Sequence, residues 1–322
     1  MISVAHEDEP PKELTIFWNK SVKMGKKADV TKVAFETAEA VKFFTKARHY
    51  RDEKKLTKKD FVFKIYKDKQ LSDHLEKKFH NKCGYCESKV AHVTPKDVDH
   101  YRPKASIEGK AYSYRPGYYW LGADWHNLIV ACPRCNRSGA HEVYDLANKI
   151  TLGKASQFPL SSEKKRVRDH AVDVLTENNV RLLLNPYLDK PEEHIVFDEF
   201  GLIHPKILAN GIPSPKGRMS IEVFALQRQP LVEQRHKMLC DFEFLIDEAE
   251  HLLALHPDLR SNWAKTRNSA RLEKIFMKMA SFFGPGVPYQ AMMRQYVNDR
   301  ANSNRFSALK RFGIDMSALL EP

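Results

Sequence analysis

The sequence is short of cysteine, of long apolar runs and of an apolar N-terminal segment. Five cysteines in 322 residues are too few for a secreted scaffold held together by disulfides. No apolar stretch approaches the roughly 18 to 20 residues that a membrane-spanning helix needs. The first ten residues, MISVAHEDEP, lack the apolar core of a secretory signal. With 42% hydrophobic residues the chain is able to bury a substantial core. We therefore expect a globular cytoplasmic protein without a membrane partner.

Acidic residues are the minority among the charged ones. The chain has 53 Lys and Arg against 41 Asp and Glu, which gives a net charge of +12. Most of this excess lies between Lys20 and Lys82, where 19 basic residues stand against 9 acidic ones. A local basic excess on a soluble protein indicates a polyanionic partner, most often nucleic acid. A solvated, lysine-rich helical face explains the same composition equally well.

Apolar periodicity predicts a mainly α protein with a small β component. Helices are predicted at 28–48, 58–80, 136–148 and 231–255. Strands are predicted at 98–101 and 127–131, with a β-hairpin over 193–206 and a linker at 211–217. These boundaries divide the chain into a basic helical N-terminal region (1–78), a central module (79–160), a connecting segment with the hairpin (161–217) and a helical C-terminal region (218–322).

Four of the five cysteines form two C-x-x-C pairs, Cys83 with Cys86 and Cys132 with Cys135. In a reducing compartment such pairs indicate metal ligands, and two of them complete a tetrahedral zinc site. Because all four ligands are thiolates, this zinc has no open position and is predicted to be structural. Cys240 lies in the apolar-periodic stretch and is predicted to be a small buried hydrophobic residue.

The 45 residues between the two pairs contain side chains suited to phosphodiester hydrolysis. His100 is a candidate general base, since its ordinary pKa is near neutral. Asp99 offers a carboxylate oxygen and Asn136 an amide oxygen, which suit Mg²⁺. Neighbouring residues of an ideal strand point to opposite faces, so Asp99 and His100 meet in one site only if the strand ends or twists there.

These residues and their order resemble the HNH endonuclease motif on a ββα-metal finger. The resemblance implies that His100 is the general base and that the preceding Asp99 is a metal ligand. It assigns Asn127 to holding the finger loop and the base in place, and Asn136 to the other metal position. The implied cofactors are a structural Zn²⁺ on the four cysteines, which staples the finger between flanking helical regions, and a catalytic Mg²⁺, for which Mn²⁺ is a substitute.

A wider set of short motifs occurs in order over roughly residues 80 to 240. The motifs are Cys83–Glu87, Asp99–Lys104, Tyr119–Leu121, Trp125–Leu128, Phe158–Leu160, Leu182–Pro186 and Pro191–His194, followed by a Phe-Asp-x-x-Gly hairpin. This order resembles the HNH nuclease subunit of Septu-type and retron-associated anti-phage systems. The resemblance implies cleavage of nucleic acid, with double-stranded DNA as the expected substrate, beside an ATPase subunit of the ABC or SMC-like class.

The contacts to phosphate are less defined by the sequence. Many HNH proteins place a lysine shortly after the second cysteine pair, and here Arg137 is the candidate to supply that charge. Arg102 and Lys104 flank the base and are further candidates. His141, five residues past Asn136, is open to two interpretations, a neighbour of the Mg²⁺ or an exposed helix residue. Two rival functions remain, a non-catalytic zinc-ribbon adaptor and an HNH nuclease that cuts RNA.

Overall fold

Helices form most of the regular structure in the computed structural model, which describes residues 1, 3–4, 32–46, 61–109, 112–301 and 304–320. The helices are α1 (Lys32–Phe44), α2 (Lys69–Lys78), α3 (Pro133–Asn136), α4 (Pro215–Val223), α5 (Gln229–Leu255), α6 (Asn262–Ala280), α7 (Gln290–Ala301) and α8 (Ser307–Arg311). The strands are β1 (Asp97–His100), β2 (Ile107–Gly109), β3 (Tyr112–Tyr114), β4 (Leu128–Ala131), β5 (Gly139–His141), β6 (Ile150–Leu152), β7 (Ile195–Phe197) and β8 (Ile203–Pro205). No helix within these residues has the length and apolar character needed to cross a membrane.

The strands form four separate two-stranded antiparallel sheets. In the sheet that borders the site described below, β1 pairs with β4, so that Asp97 lies opposite Ala131 and His100 opposite Leu128. All four side chains of β4 are buried, which explains its continuous apolar sequence. The predictions of strands at 98–101 and 127–131 are therefore confirmed, as is the hairpin, formed by β7 and β8.

The N-terminal helices are shorter than their apolar spacing predicts. The helix predicted at 28–48 is α1, and 28–31 with 47–48 lie outside the described residues. Of the helix predicted at 58–80, residues 58–60 lie outside the described residues, and the described part is α-helical only from Lys69. The Asp68 side chain caps this helix by accepting a hydrogen bond from Gln70 N at 2.9 Å. The preceding 3₁₀ turn, Ile65–Lys67, forms one wall of the site described below.

The prediction of a polar helix at 136–148 is wrong. The short helix α3 begins inside the second cysteine pair and ends at Asn136, and the chain continues into the β5–β6 hairpin. The backbone N–H groups of Lys154 and Ala155 donate to the carbonyls of Cys135 and Asn136, so the returning hairpin satisfies the carbonyls at the helix end. The linker predicted at 211–217 is also too long, because Ser214 caps α4 and Gly217 lies inside that helix.

The C-terminal region is helical as predicted. Helix α5 has Pro230 in its first turn, and it buries a stripe that includes Leu239, Phe242 and Ile246. The prediction for Cys240 is wrong, because this thiol is exposed. A residue next to Leu239 lies about 100° further round the helix, which turns it away from the buried stripe.

Two hydrogen bonds join the connecting segment to the β1–β4 sheet and the residue that follows β1. The Tyr101 hydroxyl donates to the Leu183 carbonyl at 2.5 Å, and the Tyr187 hydroxyl donates to the Leu128 carbonyl at 2.8 Å. The ring of Tyr85, between the first two cysteines, stacks on Phe224 at the end of α4 with ring centres 3.9 Å apart. The central module therefore shares its core with the regions that follow it in sequence.

Candidate functional site

The four predicted zinc ligands meet at one buried point. The sulfur atoms of Cys83, Cys86, Cys132 and Cys135 all lie within 4.8 Å of one another, and those of Cys86 and Cys132 are 3.8 Å apart. A tetrahedron with Zn–S bonds of about 2.3 Å has edges of about 3.8 Å, so the spacing suits zinc. None of the four forms a disulfide. The donor set and its geometry therefore fit a closed structural metal site that could hold zinc.

Local packing explains why the first knuckle is so tight. Gly84 N donates to the Val130 carbonyl at 2.8 Å, which ties the knuckle to β4. A Cβ atom at Gly84 would lie 2.7 Å from the Phe79 ring and 2.8 Å from Ile129, so a larger residue does not fit. The second knuckle contributes a backbone hydrogen bond from Cys132 N to the Cys83 sulfur at 3.2 Å.

A cavity of about 680 Å³ opens beside β1 and receives the predicted catalytic side chains. Asp99, His100 and Asn136 all line it, together with Lys104 and Arg137. Strand β1 ends at His100, which allows two successive residues of opposite strand faces to border the same cavity. The structure therefore brings together the proposed base and both proposed Mg²⁺ ligands.

The hydrogen bonds of His100 define its tautomer. Its Nε2 lies 2.8 Å from the Gly122 carbonyl, which accepts only, so Nε2 carries the hydrogen. In the neutral ring Nδ1 is then the unprotonated nitrogen, and the Lys104 ammonium donates to it at 3.1 Å. Burial first and the positive charge of Lys104 second lower the pKa of His100 well below its ordinary value. These contacts favour the neutral imidazole, whose unprotonated Nδ1 lies beside Lys104.

Asp99 is buried and has two strong partners. Its Oδ2 accepts a hydrogen bond from the Tyr85 hydroxyl at 2.5 Å, and its Oδ1 accepts one from the Lys154 ammonium at 2.9 Å. Lys154 is itself fully buried and also donates to the His100 carbonyl at 2.7 Å. Lys154 was not among the predicted site residues, and it follows the second cysteine pair by 19 residues. The β5–β6 hairpin returns it to the site, where it supplies a positive charge next to the metal-ligand candidate.

Asn127 lies behind the cavity and fixes the loop that follows the base. Its Oδ1 accepts from Arg102 N at 2.7 Å, and its Nδ2 donates to the carbonyls of Arg102 at 2.9 Å and Leu121 at 3.2 Å. The Leu121 carbonyl is adjacent to Gly122, the residue that holds His100. These bonds join the loop after His100 to the turn that precedes Gly122.

Asp97 is a further acidic residue of the cavity, which sequence reasoning missed. It lies two residues before Asp99 on β1, so the strand period of two places both carboxylates on one face. The amide N–H of Asn136 donates a hydrogen bond to Asp97 Oδ2 at 2.9 Å. The Arg137 guanidinium donates to the same carboxylate at 2.7 and 2.9 Å. The first of these bonds turns the amide nitrogen of Asn136 towards Asp97, so its carbonyl oxygen is the atom left for the predicted metal position.

Of the three residues predicted to contact phosphate, Lys104 and Arg137 line the cavity and Arg102 does not. Arg102 is buried, and its Nε donates to Glu177 at 3.1 Å, so its guanidinium faces the interior. Lys104 lines the cavity and lies 4.0 Å above the ring of Tyr66. The Tyr66 ring also meets the His100 ring edge-on, with centres 4.8 Å apart. Tyr66 was not predicted, and it comes from the basic N-terminal third.

His141 lies neither on a helix nor among the residues that line the cavity. It is buried in β5, where burial first and then Arg228 and Arg134 lower its pKa. Both interpretations of the sequence assumed a helix after Asn136, and the hairpin replaces that helix. His141 is thus part of the packing around the hairpin.

Comparison with known proteins gives two similarities. The chain is 34% identical over 283 residues to Septu protein PtuB of Bacillus mycoides (strain KBAB4), an alignment that covers 84% of this chain and 85% of that protein. It is also 28% identical over 177 residues to Septu protein PtuA of the same strain, which covers 54% of this chain and 21% of PtuA. No protein-family model matches the sequence.

Proposed function

Since the chain belongs to the Septu PtuB family, we propose that it is an HNH endonuclease that hydrolyses phosphodiester bonds of double-stranded DNA with Mg²⁺. The similarity to PtuB supports a role in anti-phage defence. The observation that carries the nuclease proposal is the cavity beside β1. There the unprotonated Nδ1 of His100, the carboxylate of Asp99 and the amide of Asn136 border one space.

In the proposed reaction His100 takes the proton of the attacking water on Nδ1. Its Nε2–H stays on the Gly122 carbonyl, which keeps the ring oriented and stabilises the imidazolium that forms. Lys104 now occupies Nδ1 at 3.1 Å, so it must swing from the base for the water to reach that atom. A phosphate in the cavity gives its ammonium a better partner, because charge-assisted hydrogen bonds to anions are the stronger kind.

The metal ligands of the proposed site are Asp99 and Asn136. A bound Mg²⁺ supplies positive charge to the phosphate oxygens on which negative charge builds during hydrolysis. The Asp97 carboxylate accepts hydrogen bonds from the amide nitrogen of Asn136 and from the guanidinium of Arg137. Both of these side chains line the cavity. Arg137 and Lys104 are then the side chains that contact the DNA phosphates.

The proposed partner is an ATPase subunit of the same defence system. The chain resembles proteins named PtuB and PtuA of one strain, and its PtuA match spans about a fifth of that longer protein. A related segment thus occurs within a larger chain that bears the name of the same system. This supports the proposal that the nuclease works inside a larger assembly.

A non-catalytic zinc-ribbon adaptor would leave the arrangement of Asp99, His100 and Asn136 without a role.

The test compares cleavage by His100→Ala and Asp99→Ala with the wild type, each assembled with the ATPase subunit on duplex DNA. His100→Ala should retain zinc and DNA binding and lose about 10²- to 10⁴-fold in cleavage rate, since a general base contributes that much. Asp99→Ala should also lose activity, and raised Mg²⁺ should restore part of it in this variant only. RNA is run as a parallel substrate.

His92→Ala is the matched control, because His92 is an exposed histidine of the same module. It should cleave at the wild-type rate. Wild-type cleavage by His100→Ala would reject His100 as the base, and preferred cleavage of RNA would reject DNA as the substrate.

A further inference from the structure

Arg228 brings a buried positive charge to the four cysteines from a distant part of the chain. It is the residue immediately before α5, and its side chain is 7% exposed. Its Nη2 lies 3.3 Å from the Cys86 sulfur and 3.9 Å from that of Cys132, and its Nη1 lies 3.5 Å from the Cys135 sulfur. One guanidinium therefore contacts three of the four sulfur atoms.

The backbone before α5 holds this guanidinium in place. Nη1 also donates to the Ala225 carbonyl at 2.9 Å and to the Phe224 carbonyl at 3.5 Å. Ala225 has φ of +51°, a left-handed conformation that costs free energy for a residue with a side chain. The backbone thus has an unfavourable conformation in the turn that places the Arg228 guanidinium beside the sulfur atoms.

The chemistry of the site explains what such a charge does. Zinc bound by four thiolates carries a net charge of −2, and a buried charge without a counter-charge is costly. Arginine is a permanent cation, and its planar group offers several N–H donors at fixed angles. Hydrogen bonds from these donors draw electron density from the thiolates, so the metal–sulfur bonds become less electron-rich and harder for electrophiles to attack.

We propose that Arg228 is the counter-charge of the zinc–thiolate centre and that it couples zinc binding to the docking of α5. The proposal rests on the zinc site of the proposed function and does not require nuclease activity. Because the coupling is mutual, removal of zinc weakens the attachment of the first turn of α5, and removal of Arg228 weakens the hold on zinc.

The experiment compares Arg228→Met, Arg228→Lys and the control Arg134→Met in the full chain. Arg134 lies between Cys132 and Cys135, and its side chain is exposed, so Arg134→Met removes the same charge near the metal without removing a buried partner. Loss of zinc to a chelator should be about 10- to 100-fold faster for Arg228→Met, as for other residues that support metal ligands. Arg228→Lys should lie between, and Arg134→Met should match the wild type.

A second measurement separates the electrostatic role from a general loss of packing. In the Co²⁺-substituted protein the sulfur-to-cobalt charge-transfer bands should move to longer wavelength in Arg228→Met, because the thiolates regain electron density. Arg228→Lys should recover part of that shift. Hydrogen exchange at the start of α5 should also rise when zinc is removed from the wild type.

Unchanged chelator kinetics together with unchanged cobalt bands in Arg228→Met would overturn the counter-charge role. Unchanged hydrogen exchange after zinc removal would overturn the coupling. Folded wild-type protein that contains no zinc and takes up no Co²⁺ would overturn the metal site itself. Inactivity on DNA, with these metal results as expected, would affect only the nuclease proposal. If Arg228→Met does not fold, Arg228→Lys carries the same spectroscopic comparison.

Discussion

Replacement of Lys154 by methionine should expose how strongly the site depends on one buried ion pair. Lys154 is fully buried, and its ammonium donates to Asp99 Oδ1 at 2.9 Å and to the His100 carbonyl at 2.7 Å. Methionine has a similar length and fills much of the same volume, so the main loss is the charge and its hydrogen bonds. Asp99 would remain buried with the Tyr85 hydroxyl as its main partner.

The expected cost follows from these contacts. A hydrogen bond with a charged partner contributes about 1.5–3 kcal/mol, so the two bonds of Lys154 together give about 3–6 kcal/mol. Removal of one member of a buried ion pair costs about 3–5 kcal/mol, because the other charge is left uncompensated. The two figures agree, and we expect Lys154→Met to lower the free energy of unfolding by about 4 kcal/mol.

Urea denaturation in Mg²⁺-free buffer, followed by tryptophan fluorescence, measures this loss. Lys149→Met is the control, because Lys149 forms an exposed ion pair with Glu142 and exposed pairs contribute about 0–1 kcal/mol. Added Mg²⁺ should then raise the unfolding midpoint of Lys154→Met more than that of the wild type, since the freed Asp99 oxygen is open to the cation. If Lys154→Met has the same midpoint as the Lys149→Met control, the argument about the buried pair is refuted.

Three further outcomes test other parts of the site. Metal analysis should find about one zinc per chain, and Cys83→Ala should lose zinc and unfold more readily; folded, soluble protein without zinc would contradict the site. Single-turnover cleavage should stay level from about pH 7 down to about pH 6, because burial first and the charge of Lys104 second lower the pKa of His100. Lys104 stays charged in this range, since burial lowers its pKa only to about 8; a half-loss centred near pH 6.5 would show an ordinary histidine. Arg137→Gln should weaken DNA binding and reduce its log–log salt dependence by about one phosphate contact, and an unchanged slope would remove Arg137 from the DNA surface.

Local patterns were sufficient for the parts of the site that lie close together in sequence. The cysteine spacing predicted the thiol cluster, and the apolar run after Asn127 predicted β4. Strand β1 ends at His100, which is the first of the two alternatives, a strand end or a local twist, that the motif required. Each of these features depends on a short motif. The two C-x-x-C pairs are 45 residues apart, and the need of zinc for four ligands predicted that they meet.

The remaining parts depend on contacts that no local pattern contains. Lys154 reaches Asp99 only because a hairpin replaces the predicted helix after Asn136. Tyr66 reaches His100 because the buried carboxylate of Glu36 accepts hydrogen bonds from Lys64 N at 2.6 Å and Ile65 N at 3.1 Å, which fixes the turn that carries it. Such long-range packing decides both cases and outweighs local helix propensity.

The shared core of the central module has a consequence for how the proposed nuclease can be engineered. Small zinc-bound units are often treated as cassettes that are cut out and joined to new partners. Here the hydroxyl of Tyr187, the ring of Phe224 and the guanidinium of Arg228, all from later in the chain, complete the interior of the central module. A graft of residues 79–160 would expose Leu128 and Tyr85 and leave three thiolates without their cation. The smallest transferable unit therefore begins at α1, whose Glu36 holds the turn that carries Tyr66. It extends past α5 to the first turn of α7, because Val287 and Ala291 form hydrogen bonds with Lys82 and Glu87.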